Sequence, residues 1–180
     1  MQEIYIVLTQ TGTILSRIVK FALKREYAHA SIAVDKNLDT LYSFGRRNPY
    51  NPFWGGFVEE GKNIGTFKRF HKTICRVYTK EVTDEQYEKL LKNIENFKQK
   101  RAQYYFNVWG LILAWINRYK QRRNKFYCSE FVKYILNISG VDTSNLSEVP
   151  YPMCFTKLDG IHITYEGLLK EYAAGTGMTY

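Results

Sequence analysis

The pattern of hydrophobic and polar residues in the first half of the chain predicts mainly strands. Short apolar runs bounded by turn-forming residues are typical of strands. Two such runs, 28–35 and 40–45, flank a turn-forming segment and predict a hairpin. The prolines, glycines and asparagines of 46–56 predict a loop, in which Phe53 and Trp54 could line a groove. Further strands are predicted at 3–9, 57–60, 73–82 and 161–165.

Helical periodicity dominates the second half. Its strongest signal is the capping box that opens at Thr83, after which apolar residues recur at helical spacing as far as Phe97. A very apolar helix is predicted over 106–122, and its apolar part is too short to cross a bilayer. Two more helices are predicted over 12–25 and from Cys128 to a stop near Gly140. Together with the strands, these helices predict an α+β fold.

Composition limits the class of protein. A chain of 180 residues suits a single domain, 1–180, and its 45% hydrophobic and 16% aromatic content excludes wholesale disorder. The three cysteines are odd in number and form no CxxC pair, which favours a reducing compartment over a disulfide scaffold or a zinc site. The N-terminal segment lacks the features of a signal peptide, so we expect a cytoplasmic protein. No spacing indicates a metal site or a cofactor.

The formal net charge of +9 includes one dense basic run before Cys128. Such a run is typical of a solvated helix end, but it could also make a weak contact with an anionic membrane surface. It could equally steer an acidic or phosphate-bearing substrate towards the thiol. No accompanying motif indicates specific binding of nucleic acid. The basic residues are Arg118, Lys120, Arg122, Arg123 and Lys125.

The candidate chemistry lies at Cys128 and His29. Cys128 is predicted on the first turn of a helix, where unpaired N–H groups and the helix dipole stabilise a thiolate. His29 opens a predicted strand and could serve as the base of a cysteine hydrolase. Each residue also has a structural interpretation, since cysteine and histidine at such positions are often ordinary core residues.

The segments His29-Ala30-Ser31-Ile32-Ala33-Val34-Asp35 and Tyr127-Cys128-Ser129-Glu130-Phe131-Val132 resemble the NlpC-type papain-like superfamily. The order of histidine before cysteine resembles its circularly permuted, YiiX/YaeF-like branch. This resemblance implies a permuted papain-like fold, in which an antiparallel sheet packs against helices that include the nucleophile helix. It also implies that Cys128 is the nucleophile, that His29 is the general base, and that the Cys128 backbone N–H forms part of an oxyanion hole.

The third residue, which would orient the imidazole, departs from the family pattern. A hairpin turn centred near Asn37 places His29 opposite residues 43–45, a segment that offers Ser43 where related chains often have Glu or His. Ser43 is therefore the first candidate, although it could equally be a plain structural serine. The alternatives are Glu59, Glu60 and Tyr42.

The resemblance implies a thiol-dependent hydrolase or acyltransferase, a peptidase, amidase or acyl hydrolase that cleaves an amide or ester through a covalent acyl-enzyme. The expected substrate is a small molecule, a peptide or a lipid-like acyl compound. The alternative is a non-catalytic module on the same fold that binds an anionic ligand or a lipid.

Overall fold

A six-stranded antiparallel sheet forms the centre of the protein. The computed structural model describes residues 1–12, 26–48, 51–115, 118 and 122–174. The strands are β1 (Gln2–Gln10), β2 (His29–Ala33), β3 (Leu41–Asn48), β4 (Asn51–Glu60), β5 (Ile74–Val82), β6 (Tyr105–Phe106), β7 (Lys125–Phe126) and β8 (Ile161–Leu168). The strand order in the sheet is β4-β3-β2-β1-β5-β8, and the short strands β6 and β7 form a separate parallel pair. An antiparallel sheet packed with helices confirms the predicted α+β class.

Four α-helices accompany the sheet within the described residues. The capping box predicted at Thr83 is present: the Gln86 N–H donates to Thr83 Oγ1 at 3.2 Å, and the Thr83 N–H donates to Gln86 Oε1 at 3.0 Å. No helix in the described ranges has the length and apolar character needed to cross a membrane. The helices are α1 (Gly65–Arg69), α2 (Asp84–Gln99), α3 (Val108–Trp115) and α4 (Cys128–Ile138), with 3₁₀ turns at Arg101–Gln103, Pro152–Lys157 and Leu169–Glu171.

Both faces of the sheet are covered, because alternate residues of its central strand belong to different apolar clusters. In β1, Ile6 and Leu8 join the larger cluster, to which α2 and α4 contribute. Tyr5 and Val7 join the smaller one, which includes Phe67 of α1. This alternation is the period of two that a strand requires. A connected group of aromatic rings lies in this larger cluster, with Tyr104 packed against it: Phe44, Phe57, Phe97, Tyr104, Phe126 and Phe131.

The prediction of a loop over 46–56 is wrong, because β3 and β4 continue through most of this segment as a hairpin. Arg46 pairs with Gly55, and the ladder has an irregularity before its last pair. The glycines serve close packing here and do not interrupt the strand. A Cβ on Gly55 would lie 2.8 Å from Phe106 Cβ, and one on Gly56 would lie 2.7 Å from the Tyr104 carbonyl oxygen. The Phe53 and Trp54 side chains lie outside the described residues.

Two helix predictions have a different outcome. The helix predicted over 12–25 lies almost entirely outside the described residues. The one predicted over 106–122 is too long, since α3 ends at Trp115 and neither Arg118 nor Arg122 is helical. Arg122 instead forms an isolated antiparallel bridge with Lys125, and this extended pairing is incompatible with a helix that continues to residue 122.

Candidate catalytic site

Cys128 is the first residue of α4, as the sequence predicted. The carboxylate of Glu130 fixes this helix start, because it accepts a hydrogen bond from the Tyr127 N–H at 3.2 Å and another from Asn107 Nδ2 at 3.2 Å. The Tyr127 hydroxyl donates to the Pro150 carbonyl oxygen at 2.9 Å. These bonds anchor the helix to the preceding and following segments. Cys128 itself is 6% exposed.

His29 is the first residue of β2 and pairs with Thr9 of β1. Helix α4 packs against β2, so the strand that carries the histidine and the helix that carries the cysteine are direct neighbours. The imidazole makes an edge contact with the Phe67 ring of α1, with the ring centroids 6.4 Å apart. The side chain of His29 keeps 21% of its surface exposed. The fold therefore brings together two residues that are 99 positions apart in the sequence.

Glu60, the last residue of β4, holds the imidazole. Its Oε2 lies 3.0 Å from His29 Nε2, and its side chain is only 8% exposed. Because Nε2 is engaged by this carboxylate, Nδ1 is the nitrogen available to the thiol. A buried carboxylate fixes both the orientation of the ring and its preferred charge.

The electrostatics of the three groups favour an ion pair between the thiol and the imidazole. Burial alone lowers the pKa of His29, but the charge of Glu60 and hydrogen bonds with Cys128 and Glu60 raise it from 6.5 to about 10. Burial alone raises the pKa of Cys128, but hydrogen bonding and charge from His29 outweigh it and the pKa is lowered. Hydrogen bonds from the Ala30 backbone and Ser129 lower it further. Protonated His29 and deprotonated Cys128 thus stabilise each other.

The first-ranked third residue, Ser43, is replaced in this position by Glu60. The Ser43 hydroxyl is fully buried and donates to the Ala30 carbonyl oxygen at 2.7 Å, so it joins two neighbouring strands. Glu59 forms an ion pair with Lys98 at 3.1 Å. Tyr42 stacks on Phe57 with ring centroids 6.3 Å apart and packs against the larger apolar cluster. Of the candidates, Glu60 is the one that contacts the imidazole.

The basic run does not form part of this site in the described residues. Arg118 and Arg123 are exposed, Arg122 and Lys125 are half-buried, and Lys120 lies outside the described residues. Among those four, no hydrogen bond or ion pair reaches the candidate catalytic groups. The other two thiols are fully buried elsewhere, and burial raises the pKa of Cys75 to about 12. The pKa is therefore lowered at Cys128 and raised at Cys75, which distinguishes the two thiols.

A cleft next to the site was missed by sequence reasoning. Its volume is about 500 Å³, and Arg46 and Glu60 are among the residues that line it. Arg46 lies in the segment that the sequence predicted to be a loop, so its place in a strand beside Glu60 could not be anticipated. The hairpin register shows that β3, which carries Arg46, pairs with β4, which carries Glu60.

No protein-family model, curated protein or solved structure matches the chain. Function must therefore be argued from the geometry of the site itself.

Proposed function

We propose that the chain is a thiol-dependent hydrolase or acyltransferase of the permuted papain-like type, with Cys128 as the nucleophile, His29 as the general base and acid, and Glu60 as the orienting residue. The observation that carries the proposal is the 3.0 Å contact between His29 Nε2 and the buried Glu60 carboxylate, on an imidazole that also interacts with a helix-start thiol. This is the nucleophile, base and orienter arrangement of covalent acyl transfer.

The reaction would begin with attack of the Cys128 thiolate on the carbonyl carbon of an amide or ester. The backbone N–H of Cys128, at the start of α4, would donate to the developing oxyanion. Protonated His29 then gives its proton to the leaving nitrogen or oxygen, and a thioester remains on the enzyme. In the second half, neutral His29 takes a proton from water or from an acceptor alcohol or amine. That nucleophile releases the acyl group and restores the thiolate.

Glu60 contributes by keeping the imidazole oriented and charged. Its Oε2 accepts a hydrogen bond from Nε2–H, so the proton that is exchanged with the thiol side is carried by Nδ1. The raised pKa of His29 keeps the ring protonated at neutral pH, when it has to act as an acid. A serine in this role could accept a hydrogen bond but would add no charge, which makes Glu60 the stronger orienter.

A second candidate function, binding to an anionic lipid surface without turnover, is favoured by one exposed patch. Tyr105, Val108 and Trp109 are each more than half exposed, and Tyr105 pairs in β6 with the basic Lys125 of β7. Exposed aromatic groups next to cations suit a membrane interface. Sedimentation with phosphatidylserine vesicles, compared with phosphatidylcholine vesicles, tests this surface. If wild type and Trp109→Ala sediment to the same extent with both kinds of vesicle, this second function is refuted.

The pH profile of iodoacetamide labelling at Cys128 tests the catalytic proposal. We expect rapid labelling below neutral pH in wild type, and a profile shifted to higher pH in His29→Ala, because the imidazolium that lowers the thiol pKa is lost. His162→Ala is the matched control, since His162 is exposed on β8. Slow labelling that does not respond to His29 would refute the proposal and favour the binding module.

A further inference from the structure

A cleft borders the candidate catalytic site and is large enough to hold part of a substrate. Its walls come from the β3–β4 hairpin, the start of α1 and the 3₁₀ turn after α2. A volume of about 500 Å³ is within the usual range for small-molecule sites. Glu60 lies in its wall and contacts His29, so the cleft is one side chain away from the candidate base.

Most charged groups in the cleft wall are already engaged by the protein. Arg47 donates from Nη2 to two backbone carbonyl oxygens, those of the turn after α2 and of the residue before β6. Glu59 is paired with Lys98. Glu60 is paired with the candidate base. Each of these side chains therefore has a structural role that fixes its position.

Arg46 is different. In the part of the chain that the structure describes, its guanidinium forms no hydrogen bond and no ion pair, although the side chain is half-buried. Its Cζ lies 5.9 Å from the centroid of the Phe70 ring, and Cζ of Arg69 lies 5.3 Å from the same ring. Two cations, one of them in the cleft wall, therefore converge on one aromatic ring.

The guanidinium of Arg46 keeps N–H groups open to a ligand. None of its nitrogens is buried away from solvent, and no protein group accepts a hydrogen bond from it in the described residues. The half-burial of the side chain and the charge of Arg69 act against the cation, whereas the Phe70 ring and the charge of Glu60 favour it. The same conditions act on its protonation: burial lowers the pKa of Arg46, the carboxylate of Glu60 opposes this, and Arg69 adds to it. A bound anion would restore the missing partners of the guanidinium.

We propose that the cleft binds an anionic group of the acyl substrate, a carboxylate or a phosphate, with the Arg46 guanidinium as its ligand. The planar fork of arginine matches both groups and binds them through paired, charge-assisted hydrogen bonds. Glu60 remains bound to His29, so the anion lies on the Arg46 side of the cleft. The inference rests on the proposed function, since it specifies the substrate of that same site.

Binding of small anions to Cys128→Ser protein tests the subsite without any need for turnover. Glutarate and inorganic phosphate, titrated separately by isothermal calorimetry, distinguish a carboxylate from a phosphate site. We expect saturable binding of at least one of them, weakened at least about tenfold by Arg46→Gln. Arg46→Lys should retain part of the affinity, and Arg118→Gln, which removes the same charge from an exposed position, should retain all of it. Thermal unfolding of each variant checks that it is folded.

A second measurement connects the subsite to catalysis. 4-Nitrophenyl monoesters of dicarboxylic acids with four to eight carbons are compared with their methyl-capped, neutral counterparts. We expect kcat/KM to favour the anionic ester at one chain length, and Arg46→Gln to abolish that preference. If Arg46 acted only through Glu60, Arg46→Gln would lower kcat/KM equally for the anionic and the neutral ester. An unchanged ratio of the two kcat/KM values would therefore overturn the proposal. Equal anion affinity in wild type and Arg46→Gln would also overturn it, whereas anion binding without ester cleavage would refute only the catalytic function.

Discussion

Replacing Glu60 with glutamine isolates the charge of the orienting residue. The substitution keeps the size of the side chain and an oxygen that can accept from His29 Nε2, but it removes the negative charge. The imidazolium would lose its buried counter-ion. We therefore expect the pKa of His29 to fall and the pKa of Cys128 to rise, because the two charges stabilise each other.

The size of the effect follows from the geometry. Opposite unit charges about 3 to 4 Å apart attract by roughly 4 to 6 kcal/mol at an effective dielectric constant of about 20. The rise in the pKa of His29 from 6.5 to about 10 corresponds to roughly 5 kcal/mol, net of the opposing effect of burial. Cys128 supplies part of this stabilisation, and water screens the charges because 21% of the His29 side chain is exposed. We therefore expect the pKa of His29 to be lower by about one to three in Glu60→Gln than in wild type.

An NMR titration of the His29 Cε1–H signal measures this directly. The chain has three histidines, so the spectrum of His29→Gln identifies the signal. In wild type the imidazole should stay protonated through neutral pH and lose its proton as the pH rises through about 10. In Glu60→Gln that loss should occur at lower pH. Glu59→Gln is the matched control, since its carboxylate pairs with Lys98. Superimposable curves for wild type and Glu60→Gln would refute the reasoning.

Three further predictions concern other parts of the molecule. Ser43→Ala should lower the free energy of unfolding by about 1 kcal/mol, because a buried hydrogen bond is lost, and should leave the titration of the candidate base unchanged; urea unfolding and NMR measure both. Iodoacetamide at pH 7 should label Cys128 before the fully buried Cys75 or Cys154, and mass spectrometry of peptides would expose equal labelling as a contradiction. Phe97→Ala should destabilise the protein by about 3 to 5 kcal/mol, because its ring contacts several others in the core, and an unchanged urea midpoint would contradict this.

Local sequence chemistry was sufficient for the elements whose ends are set by neighbouring residues. The Thr83 and Gln86 side chains complete their own capping box, so the start of α2 could be predicted from four residues. The start of α4 at Cys128 likewise follows from an aromatic lead-in and a helical pattern. The hairpin of 46–56 could not be predicted in this way. Gly55 and Gly56 are needed by packing against Phe106 and Tyr104, which are about 50 residues away in the sequence.

The residue that orients the imidazole could not be identified from local sequence either. Counting from the turn placed His29 opposite residues 43–45. The pair Ile32–Tyr42 puts Gly45 opposite His29 and Ser43 two residues further along β3, opposite Ser31. Proximity in register was not enough, since the Ser43 hydroxyl turns to the Ala30 carbonyl oxygen. Glu60 comes from the next strand over, β4, and its approach depends on the twist and pairing of three strands together.

Gly45 explains how a carboxylate on β4 reaches a histidine on β2 across the strand between them. A Cβ at this position of β3 would lie 3.6 Å from His29 Cε1 and 3.8 Å from Glu60 Oε1. These are ordinary contact distances, so a methyl group would fit, but the further atoms of a larger side chain would compete with the pair for the same space. Because Gly45 contributes no side chain, the imidazole and the carboxylate meet above the backbone of β3. The site therefore depends on a small residue that no pattern of catalytic side chains would have identified.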